Sequence, residues 1–224
     1  MTRRFLTGKI LYYGPEGENG REWFESVAHP GGRTLRAFCE MDEIALTRDA
    51  SYALDEAGRP IDAFARVVKD GKVLGTTLFL VDDGAVECEG LIAGMGRISQ
   101  RNPTPGRTSY LGLHPLVGDA LVALSRGTER KGLFETVTGI ANSLAPDGDE
   151  GLYAMPTAIA VAYMGEEDIA VPAGRFPARR YALRWNPAWE PADLWVTGEE
   201  AIFVKLEWAM IGARYELVEL RETR

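Results

Sequence analysis

The chain has 224 residues, of which 46% are hydrophobic and 26% charged, and a formal net charge of −8. That acidic balance argues against a nucleic-acid binder, which needs a basic face. No window approaches the ~18–20 consecutive apolar residues of a membrane helix. Lys9 breaks the short apolar run behind the N-terminal basic residues, so no secretory signal is expected and the default is a cytoplasmic protein.

Taken in order, the N-terminal half is a series of strand-like runs separated by turn residues. "RFLTGKILYY" ends at "GPEGENG", "REWFESVA" at "HPGG", and "RTLRAFCE" at "MDE". "IALTRDASYAL", "IDAFARVV", "KVLGTTLFLV" and "AVECEGLIA" follow, each ended by a cluster of Gly, Asp or Pro that supplies turn geometry. "NPTPGRTSYLGLHP" reads as a loop. From Leu116 to Arg126 the apolar positions fit one face of a helix, with Gly118, Ser125 and Arg126 across from it. Strands resume at "LFETVTGIANSL", "YAMPTAIAVAYMG" and "EEDIAVPAG", then "RFPARRYALRW", "ADLWVTG", "AIFVKLEW" and "ARYELVEL". This spacing predicts an all-β, mainly antiparallel fold. We expect a single domain over 1–224, a closed or nearly closed barrel with one short helix near 115–126 at a rim, because closure removes exposed strand edges.

The late "DLWVTGEEAIFVKLEW" hairpin and terminal "YELVEL" strand resemble the lipocalin-like (calycin-type) bacterial barrels. That resemblance implies a barrel interior holding a small apolar molecule.

Familiar catalytic motifs are missing. His29 and His114 are the only histidines and lie far apart, so no histidine-based metal site is expected. "APDGDE" lacks the spaced ligands of a calcium loop. "GLIAGMGR" lacks the helix a dinucleotide fingerprint requires, and there is no GxSxG elbow. Neither metal nor cofactor is expected. Cys39 and Cys88 share parity with apolar neighbours and read as buried thiols.

Arg48 is more informative. It interrupts a strand face otherwise made of Ile44, Leu46, Ala50, Tyr52 and Leu54. A buried guanidinium needs a partner. Three readings stand: an ion pair with Glu40 on the preceding strand, a side chain that snorkels to the rim, or an anchor for a ligand's anion or carbonyl. Arg97, Ser99 and Arg101 form a polar strand face just before the loop that carries Tyr110 and His114.

Pro115 suits the first helical position, which puts His114 beside the helix start. There the helix dipole should lower its pKa and keep the ring neutral. Asp119 lies about 140° around the helical wheel from His114, so it is assigned to the polar surface near Arg126 rather than to a His–Asp pair.

These residues point to a barrel that binds a small apolar or aromatic molecule. His114 would act as base and Arg48 as anchor in cofactor-independent acid–base chemistry of lyase, hydratase or isomerase type. Tyr110, Arg97, Glu40 and Tyr52 would be ligand contacts. Two rival readings remain: a non-catalytic carrier or sensor, and an oligomerising structural protein with Trp195 and Trp208 in its interface.

Overall fold

A computed structural model describes residues 4–223. The first eight strands are β1 (Arg4–Gly14), β2 (Gly17–His29), β3 (Gly32–Met41), β4 (Leu46–Asp55), β5 (Pro60–Lys69), β6 (Lys72–Val81), β7 (Ala85–Ile92) and β8 (Gly96–Pro103). They form an antiparallel meander in chain order. Its turns are tight: only Pro15 and Glu16 separate the paired ends of β1 and β2. After β8 come β9 (Leu111–Gly112) and two short helices, α1 (Leu116–Asp119) and α2 (Val122–Arg126). The remaining strands are β10 (Phe134–Ala141), β11 (Met155–Val171), β12 (Gly174–Arg184), β13 (Ala192–Thr197), β14 (Ile202–Trp208) and β15 (Ala213–Thr223).

All fifteen strands belong to one sheet. β15 pairs antiparallel with β1, so the two ends of the chain meet in the middle of the sheet and each half runs outward from that seam. Every pairing is antiparallel except β9 with β10, where α1 and α2 supply the crossover a parallel pair needs. The all-β antiparallel expectation therefore holds, but the sheet is not closed: β8 and β9 are its two free edges. The edges are blunted instead. β9 is only two residues long, and β8 exposes Arg97, Ser99 and Arg101. The Gln100 side chain accepts a hydrogen bond from the Ala154 backbone at 3.0 Å, where a closed barrel would have a further strand.

The two runs "YAMPTAIAVAYMG" and "EEDIAVPAG" form one strand, β11. Gly165, at φ 123°, makes a bulge in the pairing with β12 rather than a turn. The predicted single helix is likewise two pieces, broken at Ala120–Leu121. It does not sit on a rim. Leu116, Val117, Leu121, Val122 and Ala123 are buried in the main core with Tyr52 and Phe24 from one half and Val161, Tyr181 and Leu206 from the other. The helical segment thus plugs the concave side of the sheet.

Arg126, expected on a polar outer side, is buried. It donates to the carbonyls of Val161, Arg130 and Leu133 and pairs with Glu135 at 3.1 Å. Trp195 and Trp208 are buried within the chain, so neither presents an exposed face to a partner. Cys39 and Cys88 are buried free thiols. No helix among the described residues is long and apolar enough to cross a membrane.

Candidate functional site

The site is organised around the two ends of α1. On β2, Glu22 shares the inward face with Phe24, Ser26 and Ala28 and has no solvent exposure. Its Oε2 accepts from the Leu116 N–H at 2.8 Å and the Tyr12 hydroxyl at 2.7 Å, and its Oε1 from the Val117 N–H at 3.1 Å. The Cys39 thiol donates to Oε2 at 3.5 Å. Burial pushes the Glu22 pKa up, and these donors pull it back by favouring the charged form. Glu22 thereby satisfies two backbone N–H groups that a helix start leaves without partners.

At the other end of α1, Asp119 faces inward, contrary to the surface position expected. The Tyr110 hydroxyl donates to its Oδ1 at 2.9 Å. Burial raises the Asp119 pKa to about 7, opposed by the Tyr110 hydrogen bond and by Arg48, with Glu22 adding to the rise. Close approach of α1 to β4 depends on Gly118: a Cβ there would overlap the Tyr52 hydroxyl. That hydroxyl is buried and has no partner.

Arg48 and His114 meet beneath the loop that follows β10. Arg48 is only 2% exposed and forms no ion pair with Glu40, which pairs with Arg21 at 3.0 Å. Its Nη2 instead donates to the Asp147 and Gly148 carbonyls at 2.8 and 3.0 Å, while its Nε is buried without a partner. A Cβ on Gly148 would overlap both the Arg48 Nη2 and the His114 ring, so the two side chains converge on one point.

His114 has φ 73°, in the left-handed region, which histidine tolerates better than most side chains. Its Nε2 lies 3.1 Å from the Ser143 carbonyl, which assigns the proton to Nε2 and the lone pair to Nδ1. Burial first, and the Arg48 charge second, lower its pKa to about 3. The ring is neutral, as expected, but not through the helix dipole. Pro115 is the N-cap, one place earlier than expected, and α1 has only four residues.

These groups line a cavity of about 400 Å³. Arg48, Tyr110, His114 and Asp119 form its polar wall, and Trp185, Trp189 and Trp208 its aromatic wall. The Trp208 ring lies 5.0 Å from Trp185 and 5.5 Å from Trp189, and its Nε1 donates to the Glu190 carbonyl at 3.0 Å. Tyr12 and Tyr215 meet edge-on with ring centres 5.1 Å apart, on β1 and β15, which lie between β4 and β14 in the sheet. Leu144, 60% exposed, marks where the cavity meets the surface.

Of the residues singled out from sequence, Arg48, Tyr110 and His114 come together on this cavity. Three others do not. Arg97 is exposed on the edge strand β8, Glu40 is held by Arg21, and Tyr52 packs behind Gly118 rather than on the cavity wall. Glu22 and Asp119 were not anticipated as site residues, whereas Trp185 and Trp189, a C-terminal tryptophan cluster that allows an aromatic-lined pocket, do line the cavity. The one available signal was the parity of Glu22 with Phe24 and Ala28. In the acidic loop, Asp149 pairs with Lys69 at 2.6 Å. Among the described residues no group of three or more His, Cys, Asp or Glu gathers to hold a metal.

No protein-family model matches the chain, and no curated protein matches it. Among solved structures, it is similar to a β-barrel-like protein of the domain of unknown function DUF1849 from Brucella abortus. The identity is 12% and the TM-score 0.61, over 99% of this chain and 98% of that one. A protein with a YmcC-like fold from Bacteroides fragilis matches at 11% identity and a TM-score of 0.37, over 96% of this chain and 95% of that one. The first likeness establishes a β-barrel-like fold and nothing about chemistry.

Proposed function

We propose that the cavity binds a small, largely aromatic molecule carrying a carbonyl or carboxylate group, held in the lipocalin-like manner on the concave side of the sheet. One observation carries this reading. A buried arginine with no hydrogen-bonded carboxylate lines the same roughly 400 Å³ space as three packed tryptophans. Burying an uncompensated guanidinium group is costly, and an acceptor on a ligand would offset that cost. The volume falls in the range of about 300–1,000 Å³ usual for small-molecule sites, and the mix of aromatic wall and few polar groups is typical of them. Asp119 and Glu22 supply negative charge nearby, which favours a neutral carbonyl over a full anion. Residence in the cytoplasm, with Cys39 and Cys88 kept as thiols, fits this reading.

Tryptophan fluorescence tests it, because the walls report directly on occupancy. Titration with 2-tetralone, an aromatic ketone, should quench saturably, whereas naphthalene, which lacks the acceptor, should bind more weakly. Arg48→Lys should cost the ketone about 10-fold in affinity and leave naphthalene unchanged, in line with a hydrogen bond to a charged group worth about 1.5–3 kcal/mol. Equal losses for the two probes would reject Arg48 as the anchor, and absence of saturable quenching would reject the cavity as a binding site.

A further inference from the structure

We propose that Asp119 is a catalytic base that shifts a proton between carbons of a bound carbonyl compound, with Arg48 against the carbonyl oxygen and Tyr110 positioning the carboxylate. This rests on the cavity reading above and adds a reaction and a substrate class to it: a small aromatic or apolar ketone with an acidic C–H beside the carbonyl.

The geometry separates Asp119 from every other group in the cavity. Its Oδ1 is held by Tyr110, and among the described residues that is its one hydrogen-bond donor, so the carboxylate keeps accepting capacity on the cavity side. Glu22, close by, has both oxygens occupied and lies off the cavity wall. His114 has committed its N–H to Ser143, and its Nδ1 is too weakly basic to compete because the ring is held neutral down to about pH 3. Arg48 lines the cavity with a positive charge that no carboxylate pairs. Base, electrophilic anchor and a largely apolar enclosure are the parts that proton abstraction beside a carbonyl requires.

The step balances without any added reagent. The Asp119 carboxylate takes the proton from the carbon next to the carbonyl, and the C–H electron pair becomes a C=C bond. The carbonyl π pair moves onto oxygen, where the Arg48 charge stabilises the enolate. The carboxylic acid then returns the proton, either to the same carbon or, in an unsaturated ketone, two carbons further along. Nothing is oxidised or reduced. A base near pKa 7 is matched to neutral pH, where both its forms are present. The charged and titratable groups acting on Asp119 are Tyr110, Glu22, Arg48, Tyr52 and Tyr215. The three tyrosines ionise well above it, Tyr215 at about 12.

The test again uses 2-tetralone, followed in D2O by the loss of its proton signals beside the carbonyl, with fluorescence recording binding on the same samples. The protein should accelerate exchange by about 100-fold or more over buffer, the usual reach of a positioned base. The rate should climb with pH through a single step near 7. Asp119→Asn should bind within about 3-fold and exchange at the buffer rate. Tyr110→Phe should move the step to higher pH, because the lost hydrogen bond had favoured the charged carboxylate. Saturable binding with exchange at the buffer rate would overturn the proton-transfer proposal and leave the binding site standing. No saturable binding would overturn the binding site itself. A flat pH–rate profile in the unaltered protein would overturn Asp119 as the base whether or not its variants fold.

Discussion

Glu22 and Asp119 stand at opposite ends of the same four-residue helix, and both are carboxylates taken out of bulk water. At the first end two backbone N–H groups, a tyrosine and a thiol converge on the carboxylate. At the second a single tyrosine hydroxyl does so, and the rest of the group faces a cavity. Burial disfavours ionisation at both, so burial does not distinguish them. Hydrogen-bond saturation does. A carboxylate that holds four donors fixes a helix against a sheet, whereas one that holds a single donor and faces a cavity can take a proton. A related contrast separates Arg126, which pairs with the Glu135 carboxylate away from the cavity, from Arg48, which has only two carbonyl acceptors and lines it.

Matched isosteric changes should break that comparison most visibly. Glu22→Gln replaces an acceptor by an NH2 group that points at existing donors. It should destabilise the fold by about 3 kcal/mol or more, since hydrogen bonds to charged groups are worth about 1.5–3 kcal/mol each. Asp119→Asn keeps an acceptor for the one donor present and should cost less than about 1 kcal/mol. Urea unfolding measures Glu22→Gln at pH 7 and Asp119→Asn near pH 4, below the Asp119 titration. Similar losses at the two positions would mean that saturation does not separate the two ends of α1.

The next effect is a pair of opposed pH slopes. The Asp119 pKa is raised from 3.8 to about 7, so between those values the folded state holds a proton that the unfolded chain has released. Its contribution is fully present below about pH 4 and falls as pH rises to about 7. The His114 pKa is lowered from 6.5 to about 3, so there the unfolded chain takes the extra proton. Its contribution is full above 6.5 and falls as pH drops towards 3. From about pH 4 to 6.5 the two slopes oppose each other, each at most about 1.4 kcal/mol per pH unit. Asp119→Asn should therefore gain stability over the unaltered protein as pH rises through this window. His114→Gln should gain as pH falls through it. Denaturation midpoints at half-unit pH steps would show it, and variant curves parallel to the unaltered protein's would sink the assignment.

Much of the fold could be read from residue order, because period-two alternation and turn residues act locally. The β1–β2 and β2–β3 hairpins follow from Pro15–Glu16 and "HPGG" alone. Arg48 was legible for the same reason: one charge on a face of Ile, Leu, Ala and Tyr stands out at strand period. Asp119 was not. A helical wheel assumes a straight helix with one wet side, and this segment breaks at Ala120–Leu121 inside a curved sheet that surrounds it. With no wet side, Asp119 and Arg126 turn inward together. Closure was overestimated because sheet edges can also be blunted by a two-residue strand and exposed arginines, which leave no periodic signature. Trp185 and Trp189 reach the cavity from the β12–β13 connection, and which wall a loop supplies depends on long-range pairing.

Tyr52 extends the comparison to its limit and carries the smallest predicted effect. Its hydroxyl packs beside Gly118 on the same helix, is buried, and has no partner at all. Where Glu22 has four donors and Asp119 one, this group has a hydrogen-bonding capacity that nothing uses. Removing an unsatisfied buried hydroxyl while keeping the ring returns no debt of lost contacts, because the aromatic packing against α1 survives. Tyr52→Phe should thus be neutral or stabilise the fold by up to about 1 kcal/mol, read as a higher urea midpoint at unchanged slope. It should also leave 2-tetralone binding unchanged, since the ring lies behind α1 rather than on the cavity wall. A loss above about 1 kcal/mol would reveal a partner for that hydroxyl and would end the use of hydrogen-bond saturation to tell scaffold from chemistry around this helix.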